Sequence, residues 1–264
     1  MSESFRRTAP VAWQFHRNTM RWAHTIEPPG SEIDPLPARE NGDGAYLKLP
    51  QPRAAPADFF ELVRRRHSCR EFAGQPVTLE QLSIVLRAGY GINGRTVIGR
   101  LEFDERPVPS GGGLYPLELS IYARDVAGVS VGVHHYLPVT HGLESVLDGP
   151  LPGSFREYLF MGQAQLASAP AIIIITGAFF RNMRKYGDRG YRYMLFEAGH
   201  VAQNINLAAA AVGLGSCNIG GFFDKELGDT LMLDQDAEQP LYAVAIGVPV
   251  SEDRNENRAL GKSG

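Results

Sequence analysis

The chain has 264 residues, 44% of them hydrophobic and 9% aromatic, with a net charge of −3 and a pI near 6.2. This is enough apolar material for one large or two small domains, and without a general basic surface nucleic acid is not an expected partner. Cys69 and Cys217 stand far apart without CxxC or Cys/His spacing, so no disulfide, no metal site and a reducing, cytoplasmic setting are expected.

The N-terminal MSESFRRTAPVAWQF lacks a continuous apolar region, so no secretory signal is expected, and no apolar run approaches the ~18 residues of a membrane span. Residues 1–54 are punctuated by Pro28, Pro29, Gly30, Pro35, Pro37, Pro50 and Pro52. Proline removes donors and breaks helices, so this segment reads as an extended arm that wraps a core or a partner subunit, with one short helix around Trp13–Trp22, a partly disordered tail being the alternative. Residues 55–264 read as the main domain with a C-terminal tail.

Phe59, Phe60, Leu62 and Val63 precede the run Arg64 to Phe72, a short helix ending in a cationic turn. Guanidinium forks interleaved with Ser68 suit the clamping of one phosphate, while a solvated basic helix end is the alternative. Thr78-Leu-Glu-Gln81 is a capping box that opens a helix through Leu82, Val85, Leu86 and Tyr90, closing at Gly89 or Gly91. Residues 92–108 read as a polar loop delivering the chain to Pro109-Ser110-Gly111-Gly112-Gly113-Leu114-Tyr115-Pro116. Three glycines at the mouth of a strand allow the backbone to approach something flat or bulky that a Cβ would meet, a turn between two elements being the plain alternative.

Leu117–Ala123 and Val131–Tyr136 alternate as strands around a turn at Asp125–Gly128. His134 and His135 are adjacent, so they point to opposite faces and cannot together chelate a metal. Phe155–Ala167 reads as a helix, and the β-branched run from Ala169 to Gly177 as a central strand buried on both faces. The basic and aromatic stretch from Phe179 to Tyr193 reads as a loop or broken helix. Tyr193–Gly213 is the clearest helix, with Leu195, Ala198, Val201, Ala202, Ile205, Ala208, Ala209 and Val212 at helical spacing and an Ala-rich half that permits close approach. Glu197 and His200, three apart without a third ligand, read as a hydrogen-bonded helix pair. Leu214–Phe223 is a strand leading into Gly220-Gly221, Asp224 opens another helix, and the strand from Tyr242 precedes a charged tail containing Arg254.

No P-loop or HExxH is present; Gly128-Val-Ser-Val-Gly132 spells GxSxG but runs from a turn into a strand, and Gly89-Tyr-Gly-Ile-Asn-Gly94 spells GxGxxG but closes a helix instead of following a first strand, which leaves no motif for a nucleophilic hydrolase or kinase. Two glycine clusters at strand edges and an Arg/Ser clamp suit a planar, phosphate-bearing cofactor. The combination of Arg66-x-Ser68-x-Arg70-x-Phe72, Pro109-Ser-Gly-Gly-Gly-Leu-Tyr-Pro-Leu-Glu118 and the motif from Glu197 to Gly215 resembles the SagB/ThcOx-type dehydrogenases of the FMN-dependent nitroreductase superfamily. The resemblance covers roughly residues 55–250 and implies an α+β fold on a mixed, mainly antiparallel sheet flanked by helices. It also implies a homodimer with two FMN sites at its interface, which the long Ala-rich helix would suit.

By that resemblance Arg66, Ser68 and Arg70 bind the phosphate, Ser110, Gly111 and Gly112 border the flavin, and Gly220 and Gly221 offer the backbone facing its N5; Arg254 is the candidate for a C-terminal arginine at the phosphate. Lys185-Tyr186 is similar to a Lys-Tyr pair of the family's azoline-oxidising members, which make thiazoles and oxazoles. One of the pair would be the base, with Arg181, Arg184, Arg189 and Arg192 as cations that lower the lysine, the alternative being that they hold a peptide's carboxylates or solvate a loop. A peptide- or carrier-bound azoline, delivered by a cyclodehydratase or synthetase partner, is then the expected substrate. An NAD(P)H-dependent nitro- or quinone reductase, and a non-catalytic flavin- or peptide-binding subunit, are the alternatives.

Overall fold

A computed structural model describes residues 9–20, 42–52, 57–98 and 100–250. In chain order it forms α1 (Pro10–Asn18), β1 (Tyr46–Lys48), α2 (Phe59–Arg65), α3 (Leu79–Tyr90), β2 (Gly94–Ile98), β3 (Leu101–Glu105), a 3-10 turn (Gly111–Gly113), β4 (Leu117–Ala123), β5 (Gly132–Leu137) and β6 (Gly142–Asp148). There follow α4 (Gly153–Leu159), α5 (Ala164–Ala167), β7 (Ala171–Ala178), α6 (Phe179–Tyr186), α7 (Asp188–Ala211), β8 (Gly215–Ile219), α8 (Asp224–Thr230) and β9 (Glu238–Gly247).

Strand β7 explains the architecture. Ala171, Ile173 and Ile175 face a core built with α3 and α7, while Ile172 and Ile174 face a second core built with α4, α5 and α8. Side chains alternate across a strand, so a run of isoleucines must be covered on both faces; each buried one contributes roughly 2 kcal/mol. The sheet order is β1-β6-β5-β4-β7-β9-β8, and each neighbouring pair is antiparallel. Isolated parallel bridges, Ser68 with Ser216 and Val77 with Val126, make the pairing mixed. This is the expected α+β class, a mostly antiparallel sheet flanked by helices.

The capping box holds: Thr78 accepts the Gln81 amide and the Gln81 carboxamide accepts the Thr78 amide. Gln81 Nε2 also donates to the Val212 carbonyl, tying the start of α3 to the end of α7. Helix α3 is capped at Gly91; Gly89 instead serves close approach, since a Cβ there would stand 2.8 Å from Ile205 Cγ1 of α7.

Several expected elements differ. Residues 92–108 contain the β2–β3 hairpin rather than a loop throughout, paired Gly94 to Glu105 through Ile98 to Leu101. Residues 155–167 divide into two short helices around the left-handed Met161 and Gly162. The stretch from Phe179 to Tyr193 is a broken helix, one of the two expected readings, with α6 and the start of α7 divided at Gly187 (φ +54°), so that α7 starts at Asp188, before Tyr193. Short β1 from the N-terminal segment pairs with β6, a strand that the sequence reading did not mark.

Candidate functional site

The glycine triplet forms one turn of 3-10 helix, with Gly112 and Gly113 both at φ +66°. Side chains with a Cβ rarely take that conformation, so these two glycines answer to the backbone itself. Ser110 Oγ closes the turn by accepting the Tyr115 amide at 3.0 Å. Against the turn lies the corner between α6 and α7. A Cβ on Gly112 would stand 2.6 Å from the Tyr186 hydroxyl and 2.9 Å from Lys185 Nζ, and one on Gly111 would stand 3.3 Å from Tyr193 and 3.5 Å from Tyr186. The expected close approach is present, and within this chain the flat partners are tyrosines: Tyr186 and Tyr193 meet edge to face at 5.1 Å. Glycine at 112 therefore lets the two residues expected to be catalytic come down onto the turn.

The turn is also held from the α7 side, where the sequence reading is corrected. Glu197 is buried while His200 is exposed, and the carboxyl accepts the Tyr90 hydroxyl at 2.7 Å. Tyr90 in turn accepts the Leu117 amide, the first of β4. Burial pushes the Glu197 carboxyl up to about 7, opposed by the neighbouring Ser110 and Tyr90 hydroxyls and by the Arg106 charge. Arg106 lies 4.2 Å over the Tyr90 ring and 5.1 Å over the Tyr115 ring.

The α6 arginines also behave differently from expectation. Arg181 pairs at 2.5 Å with buried Glu118 of β4, whose other oxygen faces His135 at 3.4 Å. Burial alone would raise the Glu118 carboxyl; His135 and Arg181 more than offset it and hold it at about 2. Arg189 donates to the Thr19 carbonyl at 2.7 Å, and Arg192 donates to the His16 carbonyl at 3.0 Å and to the Thr19 hydroxyl. These two cations thus latch α1 onto the α6–α7 corner, reinforced by the Phe15–Tyr191 contact. Adjacent His134 and His135 diverge, His134 to the Ser130 carbonyl and His135 to Glu118. Among the described residues no group of three or more His, Cys, Asp or Glu could hold a metal.

The remaining expected site residues lie along the β8 edge of the sheet. The Cys69 amide donates to Ser216 at 2.8 Å, placing the Arg66–Arg70 segment beside β8, with Ser68 and Arg70 exposed and the Arg70 charge acting on Cys217. Gly220 and Gly221 follow the far end of the same strand. Gly220 has room beside it, the Tyr242 ring at 3.7 Å being the contact a Cβ would make. Between clamp and glycines, Asn218 Oδ1 is buried without a hydrogen-bond partner, an acceptor the sequence reading missed. A buried orphan carbonyl is costly unless a donor arrives. Cations at one end, open backbone at the other and an unused acceptor between them fit an elongated, phosphate-bearing heterocycle.

Ile219 pairs with Ala243, Tyr242 with Ile175, and Gly177 with Leu117, so Gly220 and the glycine turn lie at one end of the sheet. Strands β7 and β9 separate them, three strand spacings or roughly 14 Å. The structure therefore joins Ser110, Gly111, Gly112, Lys185 and Tyr186 in one cluster and gathers Arg66, Ser68, Arg70, Gly220 and Gly221 along one edge. Arg254 lies outside the described residues. Among those residues no helix is long and apolar enough to cross a membrane.

Residues 63–248 match the model of the nitroreductase family. The chain belongs to that family. This nitroreductase-family oxidoreductase is 37% identical over 209 residues to a Methanocaldococcus jannaschii protein named as a nitroreductase, covering 78% of this chain and 98% of that one. It is 32% identical over 160 residues to the microcin B17-processing protein McbC of Escherichia coli, covering 59% of this chain and 57% of McbC. A solved Anabaena variabilis structure described as a nitroreductase superposes with a TM-score of 0.72 at 28% identity, over 89% of this chain and 46% of that one. The chain thus spans about half the length of the last two proteins.

Proposed function

We propose that this nitroreductase-family protein is an FMN-dependent dehydrogenase that oxidises a peptide- or carrier-bound thiazoline or oxazoline to the thiazole or oxazole. The observation that carries this reading is the packing of Lys185 and Tyr186 onto the glycine turn. McbC, a microcin-processing protein, supports the substrate class by similarity. Arg66, Ser68 and Arg70 would hold the phosphate, joined by Arg254; Gly220 and Gly221 would lie beside the ring, with Ser110, Gly111 and Gly112 as its border and Asn218 as an acceptor for a ring N–H. FMN when bound supplies a two-electron acceptor, with oxygen as the terminal one.

Aromatisation of an azoline releases one proton and one hydride equivalent. Lys185 or Tyr186 takes the proton from the substrate carbon, a role worth roughly 100- to 10,000-fold in rate. The Arg181–Glu118 pair keeps α6 seated so that the base stays in register with the turn. A homodimer would complete the site by bringing the glycine turn of one copy toward the β8 edge of the other. Supporting it, α7 carries an outward stripe of Leu195 and Phe196, 38% and 55% exposed, with open space at Gly199, beside exposed Phe59 and Phe60 of α2. A cyclodehydratase or synthetase would deliver the substrate.

The purified protein should be yellow, and Arg70→Ala should weaken FMN binding tenfold or more, the loss expected for one charge-assisted contact. Colourless protein that takes up no added FMN contradicts the proposal. The near-complete coverage of the archaeal relative favours a second reading, an NAD(P)H-dependent nitro- or quinone reductase. Rapid bleaching of bound flavin by NADPH followed by nitroaromatic turnover would select it.

A further inference from the structure

Glu197 of α7 lies beside the glycine turn. Its buried carboxyl meets Tyr90 from α3 and Ser110 from the turn, and both hydroxyls already hold the backbone on either side of it. Ser110 accepts the Tyr115 amide and Tyr90 accepts the Leu117 amide, so the carboxyl holds one, and neighbours the other, of the two hydroxyls that fix residues 110–117. Tyr193, one helical turn before Glu197 on α7, packs against the same turn at Gly111. Arg106, stacked over Tyr90 and Tyr115, is the charged group that acts on Glu197 among the described residues; Tyr90, Tyr115 and Tyr193 are the titratable neighbours of the turn, and burial pushes the Tyr90 hydroxyl well up, so it stays protonated.

We propose that Glu197 is a positioning residue whose proton state sets how firmly the Gly111–Gly113 turn is held against Lys185 and Tyr186. The buried position favours the neutral carboxyl, and Glu197 Oε2 has no hydrogen-bond partner of good geometry. When the turn opens, the carboxyl meets water and ionises readily. Ionisation therefore favours the open turn, and a proton closes it. The catalytic meaning of the latch rests on the function proposed above, but its mechanics do not require flavin.

Hydrogen exchange of the whole protein, read as protection factors for residues 110–117 between pH 5 and pH 8, tests this. Wild-type protection should fall tenfold or more as pH rises, while the exposed β2–β3 hairpin does not change. Glu197→Gln, a permanently neutral analogue, should keep the low-pH protection throughout. Tyr90→Phe, which removes a donor to the carboxylate, should move the midpoint to higher pH. Constant wild-type protection, the same fall in Glu197→Gln, or an unmoved midpoint in Tyr90→Phe would each overturn the latch. Absence of flavin from the protein would sink the proposed function and leave these results standing.

Discussion

Gly112 concentrates two constraints at one position, a positive φ and an approach to Tyr186 and Lys185 closer than a Cβ allows. Gly112→Ala should lower stability by about 1–2 kcal/mol from backbone strain and displace the Lys-Tyr pair, so activity should fall further than stability. Gly111→Ala meets only ordinary to tight contacts and should be milder; thermal melts alongside turnover assays distinguish the two. Two buried groups titrate in opposite senses. Glu197 is raised from 4.5 to about 7, so the folded state keeps a proton that the unfolded chain releases, and stability falls by roughly 3 kcal/mol between pH 4.5 and 7. Burial, then the Arg87 charge, lowers His141 from 6.5 to about 4, so its contribution is complete above pH 6.5 and lost, by a similar amount, as pH falls to 4. Wild-type stability should thus be nearly flat from pH 4.5 to 6.5. Urea unfolding of Glu197→Gln should instead show stability rising with pH across that window.

At the scale of elements, what could be read in the sequence was what the core dictates. The isoleucine run of β7, the capping box of α3 and the small-residue periodicity of α7 all follow from burial on a fixed period. The β2–β3 hairpin escaped because it forms its own two-stranded sheet with exposed Val97, without the buried run that marks the main strands. Helix α6 was legible only as a loop or broken helix because its residue types are basic and aromatic, and its order comes from tertiary partners. Glu118 is 63 positions from Arg181, and Tyr90 is 107 positions from Glu197, so neither pair has a local signal. The first pair should matter most for α6. Arg181→Met leaves Glu118 buried beside His135 without its cation and should destabilise by roughly 3–5 kcal/mol, the scale of a broken buried pair. Chemical denaturation measures it, and a change below 1 kcal/mol would mean that α6 is seated by other contacts.

For the whole molecule, the motifs suggested flavin sites at a dimer interface, and the fold distributes their residues between two places at one end of the sheet. Sequence spacing gives residue types but not which strands intervene, so the separation by β7 and β9 could not be read beforehand. A second copy is the simplest means of closing that gap. Phe196→Asp on the outward stripe of α7 should yield monomers by light scattering and release flavin, with the chain still folded. A folded monomer that keeps its flavin would place the entire site within one chain.

The central claim is that Lys185 and Tyr186, seated on the glycine turn, serve an azoline oxidation. Its most direct test is anaerobic mixing of the FMN-loaded protein with a synthetic azoline-containing peptide, following flavin bleaching and azole formation together. The account predicts one azole formed per flavin bleached, at a rate at least 100-fold lower in Lys185→Ala or Tyr186→Phe, whichever residue is the base. Bleaching by NADPH but not by any azoline, or unchanged rates in both variants, would contradict it.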